Sequence, residues 1–135
     1  MYYWLSRLVL VLVLFWVPSL AKSASSVTLI PGQGSVQRIK IVMDSYFYSP
    51  SEIIIQANKL VSIELENQSF LIPHNFVLDN YEMGFHREVN VSAGDTVNLQ
   101  LLLDSPGRYI FYCNKQFLFF PSHAEEGMEG VLEVR

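Results

Sequence analysis

The spacing of apolar positions changes character twice along the chain. Leu8 to Leu20 is a nearly unbroken apolar run, interrupted only by Pro18 and Ser19. Residues 22–35 (KSASSVTLIPGQGS) are small, polar and rich in Ser and Gly. Beyond them, short segments follow one another: Gln37–Met43, Ser51–Gln56, Leu60–Glu66, His74–Asp79, Arg87–Val91, Thr96–Asp104, Arg108–Cys113 and Gly130–Arg135. Several alternate apolar with polar residues, and Ser51–Gln56 carries the β-branched run Ile53-Ile54-Ile55. Period two bounded by turn residues is the strand signature, and the turns fall at Asn58-Lys59, Ala93-Gly94-Asp95 and Ser105-Pro106-Gly107. No segment after residue 21 sustains a helical period. The pattern predicts an all-β domain of about eight strands, an antiparallel sandwich or barrel. Two stretches stand outside it, Asn80–His86 and Asn114–Gly130. The second is long for a connection in so small a domain, and long loops on rigid scaffolds often carry function.

The leading run reads as a secretory signal over residues 1–21. Arg7 supplies the charged start, and Ser19-Leu20-Ala21 or Ala21-Lys22-Ser23 offers a small-residue cleavage site. The run is short for a membrane span, which needs roughly 20 apolar residues, so it is read as a cleaved signal with an uncleaved anchor as the alternative, and no span is expected in the mature chain. Residues 22–35 read as a flexible N-terminal segment and 36–135 as the domain. A periplasmic or secreted location follows. The formal net charge is −4, which argues against a nucleic-acid partner.

The scarce reactive residues narrow the chemistry further. The chain has one cysteine, Cys113, and three histidines, His74, His86 and His123. One cysteine excludes an internal disulfide framework and a four-cysteine zinc or iron–sulfur site. An exported, unpaired cysteine must be buried, dimerised or bound to something. By strand alternation Cys113 shares a face with Tyr109 and Phe111, and His74 with Phe76 and Leu78. If those are core faces, both point inward. His123 and Met128 follow in the long loop. One thiolate, two imidazoles and a thioether form a soft, mixed set that suits copper in both oxidation states. Each residue alone is ordinary, since an inward histidine is usually a hydrogen-bonded core residue and a lone methionine is usually packing.

The ordered set is less ordinary: Pro73-His74-Asn75-Phe76 opening a strand, then Gly107-x-Tyr109-x-Phe111-Tyr112-Cys113, then His123-x4-Met128-x-Gly130 before the last strand. With Phe47, Pro50, Glu52 and Ile54, and with Val61-x-Ile63-x-Leu65-x-Asn67, it resembles the cupredoxins, the blue-copper family, over roughly residues 36–135. The resemblance implies an eight-stranded Greek-key β-sandwich holding one copper ion. It implies equatorial ligands His74, Cys113 and His123, an axial Met128, and Asn75 tying the ligand loops together by hydrogen bonds. It implies an exported, monomeric one-electron carrier between protein redox partners, not an enzyme. Copper storage, delivery or resistance is the alternative use of the same ligands.

The chain departs from the family pattern between Cys113 and His123, where nine residues stand in place of a few. Phe117-Leu118-Phe119-Phe120-Pro121 is either a lid packed over the site or an exposed apolar patch on which a partner docks. Three smaller features have open readings. Glu125, Glu126 and Glu129 are a solvated acidic loop or the source of a substitute ligand. Met83 and His86 are a surface loop or a weak second copper site. Asn67-Gln68-Ser69 and Asn90-Val91-Ser92 match glycosylation acceptors.

Overall fold

The computed structural model describes residues 26–28 and 36–135. The segment read as an export signal, and most of the segment read as flexible, lie outside the described residues. The strands are β1 (Ser26–Thr28), β2 (Val36–Asp44), β3 (Phe47–Ser49), β4 (Glu52–Ile55), β5 (Leu60–Asn67), β6 (His74–Asn80), β7 (Phe85–Val91), β8 (Thr96–Leu102), β9 (Gly107–Tyr112) and β10 (Glu129–Val134). A 3-10 turn, Tyr81–Met83, links β6 to β7.

All eight segments expected from the alternation are strands. Two short ones join them: β3, which forms a hairpin with β2, and β1, which adds to the edge of β4. Three residues are too few to show a period, which is why neither was legible. The strands form two sheets, in the order β1-β4-β10-β9-β6-β7 and β3-β2-β5-β8. The sheets are mixed and not purely antiparallel: β2 runs parallel to β5, and β4 runs parallel to both β1 and β10. The cause is the chain path. After the β2–β3 hairpin the chain crosses to the other sheet at β4 and returns at β5 beside β2, travelling in the same direction.

The alternation sets the core. Along β5 every second residue is buried, so Val61, Ile63 and Leu65 face inward with Ile41, Met43, Leu99 and Leu101 of the same sheet. Ile53, Ile55, Phe76, Leu78, Phe111 and Leu132 of the other sheet meet them. At the β6 end this core turns aromatic. Phe76 stacks on Phe111 with ring centroids 5.1 Å apart, and Tyr48 stands edge-on to both. Such pairs contribute about 0.5–1.5 kcal/mol each beyond their buried area.

Strand β6 is buried along its whole length. Its inward residues belong to the core; its outward Asn75 and Asp79 are covered by polar partners. Asp79 accepts hydrogen bonds from Tyr112 Oη (2.7 Å) and pairs with His86. Those two hydrogen bonds hold the Asp79 carboxyl below its usual range against the opposing effect of burial. His86 is thereby engaged by Asp79, while Tyr109 Oη donates to the Ser105 carbonyl (3.1 Å) and lies 3.5 Å from the Met83 sulfur.

Gly130, in the second position of β10, has no room for a side chain. A Cβ there would lie 2.2 Å from Phe111 Cζ and 2.4 Å from the Ser51 carbonyl oxygen. Because one obstacle is backbone, rotamer change alone cannot relieve it. Gly130→Ala is expected to cost about 2–3 kcal/mol, at the upper end of overpacking substitutions, measured by urea denaturation. A stability equal to that of the parent would contradict this packing.

Candidate metal centre

The site is built where the β6–β9 ladder ends. Strand pairing between them covers only Val77, Leu78 and Asp79 against Tyr112, Phe111 and Ile110. Beyond it the strands are joined by Asn75, all of whose polar groups cross to other elements. Asn75 Oδ1 accepts from the Asn114 backbone N–H (3.0 Å), and Asn75 Nδ2 donates to Asn114 Oδ1 (2.6 Å) and Glu88 Oε1 (2.7 Å). The Asn75 backbone N–H points at Cys113 Sγ (3.4 Å), and its carbonyl accepts from Tyr48 Oη (2.6 Å). The residues on either side of this clamp are His74, first in β6, and Cys113, just past β9.

The long loop brings in the third residue. Ala124 N–H donates to the Cys113 carbonyl (2.9 Å) and His123 N–H to the Lys115 carbonyl (2.8 Å), so the backbone rejoins itself beside Cys113. The intervening residues form an outward excursion. Its nine-residue length therefore leaves His123 adjacent to Cys113. Ser122 and Glu125 start the return as a capping box: the Glu125 carboxylate accepts from the Ser122 backbone N–H (2.7 Å) and hydroxyl (2.8 Å), and the Ser122 hydroxyl accepts from Glu125 N–H. Glu125 is committed there, and no carboxylate joins the cluster described next, among the described residues.

His74, Cys113 and His123 are all buried and their donor atoms converge. His74 Nδ1 lies 3.1 Å from His123 Nδ1, and Cys113 Sγ lies 3.8 Å and 3.3 Å from the two nitrogens. The centre of this triangle is about 2.0 Å from each corner, the length of a metal–imidazole bond and a little under that of a metal–thiolate bond. The residues present therefore fit one metal ion, and two imidazoles with one thiolate are the trigonal donor set of a copper electron-transfer site. Met128 is fully buried, and its backbone accepts from Cys113 N–H (3.1 Å) and donates to the His123 carbonyl (2.9 Å), which fixes it to two of the three.

Electrostatics favour neutral imidazoles. Burial lowers the His74 pKa to about 4, helped by nearby His123 and opposed by Asp44. Burial, with Lys115, lowers that of His123. Burial pushes the Cys113 thiol up, against the pull of the Asn75 and Lys115 backbone N–H groups. A buried thiol held in this way is a poor nucleophile, whereas a cation in the triangle would deprotonate it.

Around His123 the surface is largely apolar, with Lys115, Gln116 and Glu126 among the residues that line it. Tyr46 stands edge-on to its ring at 4.8 Å, and a cleft of about 580 Å³ lined by Tyr46, Leu71, Phe117, Phe120 and Pro121 reaches His123. Tyr46 sits in the two-residue β2–β3 turn with φ of 65°, after Ser45 at 35°. Two successive positive φ values are what such a hairpin turn needs, and glycine or asparagine would meet that need more readily. Phe117, Leu118, Phe119 and Phe120 are exposed, Phe119 by 85%, and the Phe120 ring stacks on those of Phe117 and Phe119. They form a patch and not a packed lid. Phe70 and Leu71 add two exposed apolar side chains from the β5–β6 connection.

The alternation misses the polar residues that support the site. Asn67 occupies a core-phase position of β5 and is buried; its Nδ2 donates to the Ile72 and Val91 carbonyls and its Oδ1 accepts from Ser69 N–H. A polar residue in core phase was its local signal, beside its place in the Val61-x-Ile63-x-Leu65-x-Asn67 pattern. Its buried, fully committed amide is not an acceptor for glycosylation, while Asn90 is exposed. Ser69 and Asp44 gave no signal.

The fold and this geometry agree with the comparisons. The family model for the cupredoxin-like domain matches residues 7–127, and the chain belongs to that family. Among solved structures it is similar to rusticyanin in its reduced form (16% identity, 84% of this chain and 86% of that chain, TM-score 0.62). It is similar to auracyanin A, a "blue" copper protein from Chloroflexus aurantiacus (19%, 74% and 99%, 0.59). It is also similar to the metal binding domain of the Cu(I) exporting P-type ATPase CopA of Streptococcus pneumoniae, solved with Cu(I) (14%, 84% and 98%, 0.57). No curated protein sequence matches the chain.

The depressed histidines make folding pH-dependent in a defined direction. Between pH 6.5 and about 4 the unfolded chain takes up a proton at His74 that the folded chain refuses, so stability falls as pH falls through that window. For the metal-free protein the loss from His74 between pH 7 and 4.5 is expected to be about 2–3 kcal/mol by urea denaturation. Equal stability at the two pH values would contradict the buried, neutral state of the ring.

Proposed function

We propose that the protein is an exported copper protein that carries single electrons between protein partners. His74, Cys113 and His123 would hold one copper ion, with Met128 as a fourth, weaker ligand. The ion would supply a Cu(I)/Cu(II) couple stabilised in one state by thiolate and thioether and in the other by imidazole. The observation that carries this reading is the convergence of three buried donor atoms on a ready-made triangle. A rigid sandwich and the Asn75 clamp hold those atoms fixed, so little needs to move when charge changes. The thiol is enclosed, and the two imidazoles beside it converge with it on one point, which fits holding an ion better than turnover of a substrate.

The chain's own residues divide the remaining work. The two imidazoles stay unprotonated because they are buried, and so remain available as ligands in mildly acidic surroundings. His123 is the donor that the surface cleft reaches. The exposed Phe117–Phe120 excursion rims that cleft and supplies a large apolar patch of the kind that marks docking sites. Export is supported by the apolar run Leu8–Leu20 after Arg7, and the unpaired cysteine is compatible with it because a metal would occupy the thiolate. No helix among the described residues is long and apolar enough to cross a membrane. The alternative of copper handling draws on the same fold, which the Cu(I)-bound CopA domain also has.

Loading with Cu(II) tests the reading. An intense thiolate-to-copper band in the visible spectrum and reversible one-electron cycling are expected, both lost in Cys113→Ser. A band that survives in Cys113→Ser would refute the assigned site, and tight Cu(I) binding with no band would favour handling. For docking, Phe119→Ser and Phe120→Ser are expected to lower the electron-transfer rate with the partner about tenfold or more while leaving the spectrum unchanged, since each removes an exposed anchor worth on the order of 1–2 kcal/mol. An unchanged rate would overturn the docking role.

A further inference from the structure

The remote nitrogen of His74 is held by a pair of side chains that no family pattern in the sequence marked. Ser69 Oγ lies 2.9 Å from His74 Nε2, and the same hydroxyl donates to Asp44 Oδ1 at 3.3 Å. Ser69 and His74 are both buried. Asp44 closes β2, and its Oδ1 also accepts from the Ser45 hydroxyl at 3.0 Å. Ser69 is fixed in turn, because its backbone N–H donates to the buried Asn67 carboxamide (3.0 Å).

Proton counting orders this chain. A serine hydroxyl has one proton to give, and a carboxylate can only accept. The Ser69 proton therefore goes to Asp44, and Ser69 Oγ accepts from His74 Nε2–H. The opposite order would leave the buried hydroxyl oxygen and the half-buried carboxylate facing each other with no proton between them. With the His74 proton on Nε2, the Nδ1 lone pair is free and points into the triangle with Cys113 Sγ and His123 Nδ1.

We propose that Ser69 and Asp44 form a hydroxyl–carboxylate relay that fixes the tautomer of His74 and makes its Nδ1 a stronger donor to the metal. The relay rests on the copper reading for its consequence, though not for its existence. An imidazole whose far N–H is drawn toward a carboxylate through a hydroxyl gains basicity, and such outer partners typically change metal affinity 10–100-fold. Added donor strength favours Cu(II) over Cu(I), so the relay lowers the reduction potential. Ser69 and Asp44 are positioning residues; neither has an atom in the triangle.

The test has two arms. In the first, nitrogen-15 NMR of the metal-free wild-type protein near pH 7 reads the His74 tautomer. Protonated Nε2 with unprotonated Nδ1 is expected, and Nδ1–H as the main form would overturn the relay. In the second, reduction potentials of the copper-loaded protein are compared for wild type, Ser69→Ala, Ser69→Thr and Asp44→Asn. Ser69→Ala is expected to weaken Cu(II) binding about tenfold relative to Cu(I), a rise of about 59 mV for a one-electron couple. Ser69→Thr keeps the hydroxyl and is expected to stay near wild type. Asp44→Asn keeps an acceptor without the charge and is expected to move the same way as Ser69→Ala by a smaller amount. A Ser69→Ala potential equal to wild type, or a Ser69→Thr potential equal to that of Ser69→Ala, would overturn the proposal. A protein with the Nε2–H tautomer that fails to give a copper–thiolate band would sink the carrier reading and leave the relay standing. The converse pairing would sink only the relay.

Discussion

Everything at the metal end depends on how the chain bridges the point where β6 and β9 stop pairing. Backbone hydrogen bonds end at Val77 and Tyr112, and an open cleft between two strand ends would leave His74 and Cys113 to wander separately. Asn75 closes it with its carboxamide, its N–H and its carbonyl at once. One buried residue therefore sets the distance between a thiol and an imidazole that are 39 positions apart in sequence. The partners are themselves held: Tyr48 by the aromatic core, Asn114 by its place after Cys113. Removing a residue whose every polar group is paired would leave several buried groups unsatisfied, which is the costly side of the hydrogen-bond asymmetry.

The long loop shows how length can be separated from geometry. An insertion between two candidate donors need not distort them if the backbone is re-tied across its base. Here the Ala124–Cys113 and His123–Lys115 hydrogen bonds do the tying, and the additional residues project outward. What they bring to the surface is four large apolar side chains beside the one donor that the cleft reaches. Donor geometry and surface chemistry are thus controlled by different parts of the same loop, and one can change without the other.

Much of this was legible in residue order, because its causes are local. Strand alternation assigned inward faces to Phe76, Leu78, Tyr109, Phe111 and Cys113, and each is buried. The scarcity of cysteine and histidine left few residues from which a site could be made, and three of those four form the cluster. The rest depended on contacts that have no local period. Mixed strand directions follow from a chain crossing, not from composition. Ser69 and Asp44 are ordinary polar residues until folding sets one against His74 and the other against its hydroxyl. Whether Phe117–Phe120 covers or extends was undecidable from apolarity alone, since lids and patches have the same composition; the backbone ties at the loop's base decide it.

The central claim is that the donor triangle exists before any ion arrives, held by the sandwich and the Asn75 clamp. Crystal structures of the metal-free and copper-loaded protein, compared atom by atom, test it most directly. The account predicts that His74 Nδ1, Cys113 Sγ and His123 Nδ1 keep their positions to within about 0.5 Å, the tolerance of a preorganised site. A shift of several ångströms in any of the three, or a copper ion bound elsewhere, would contradict it.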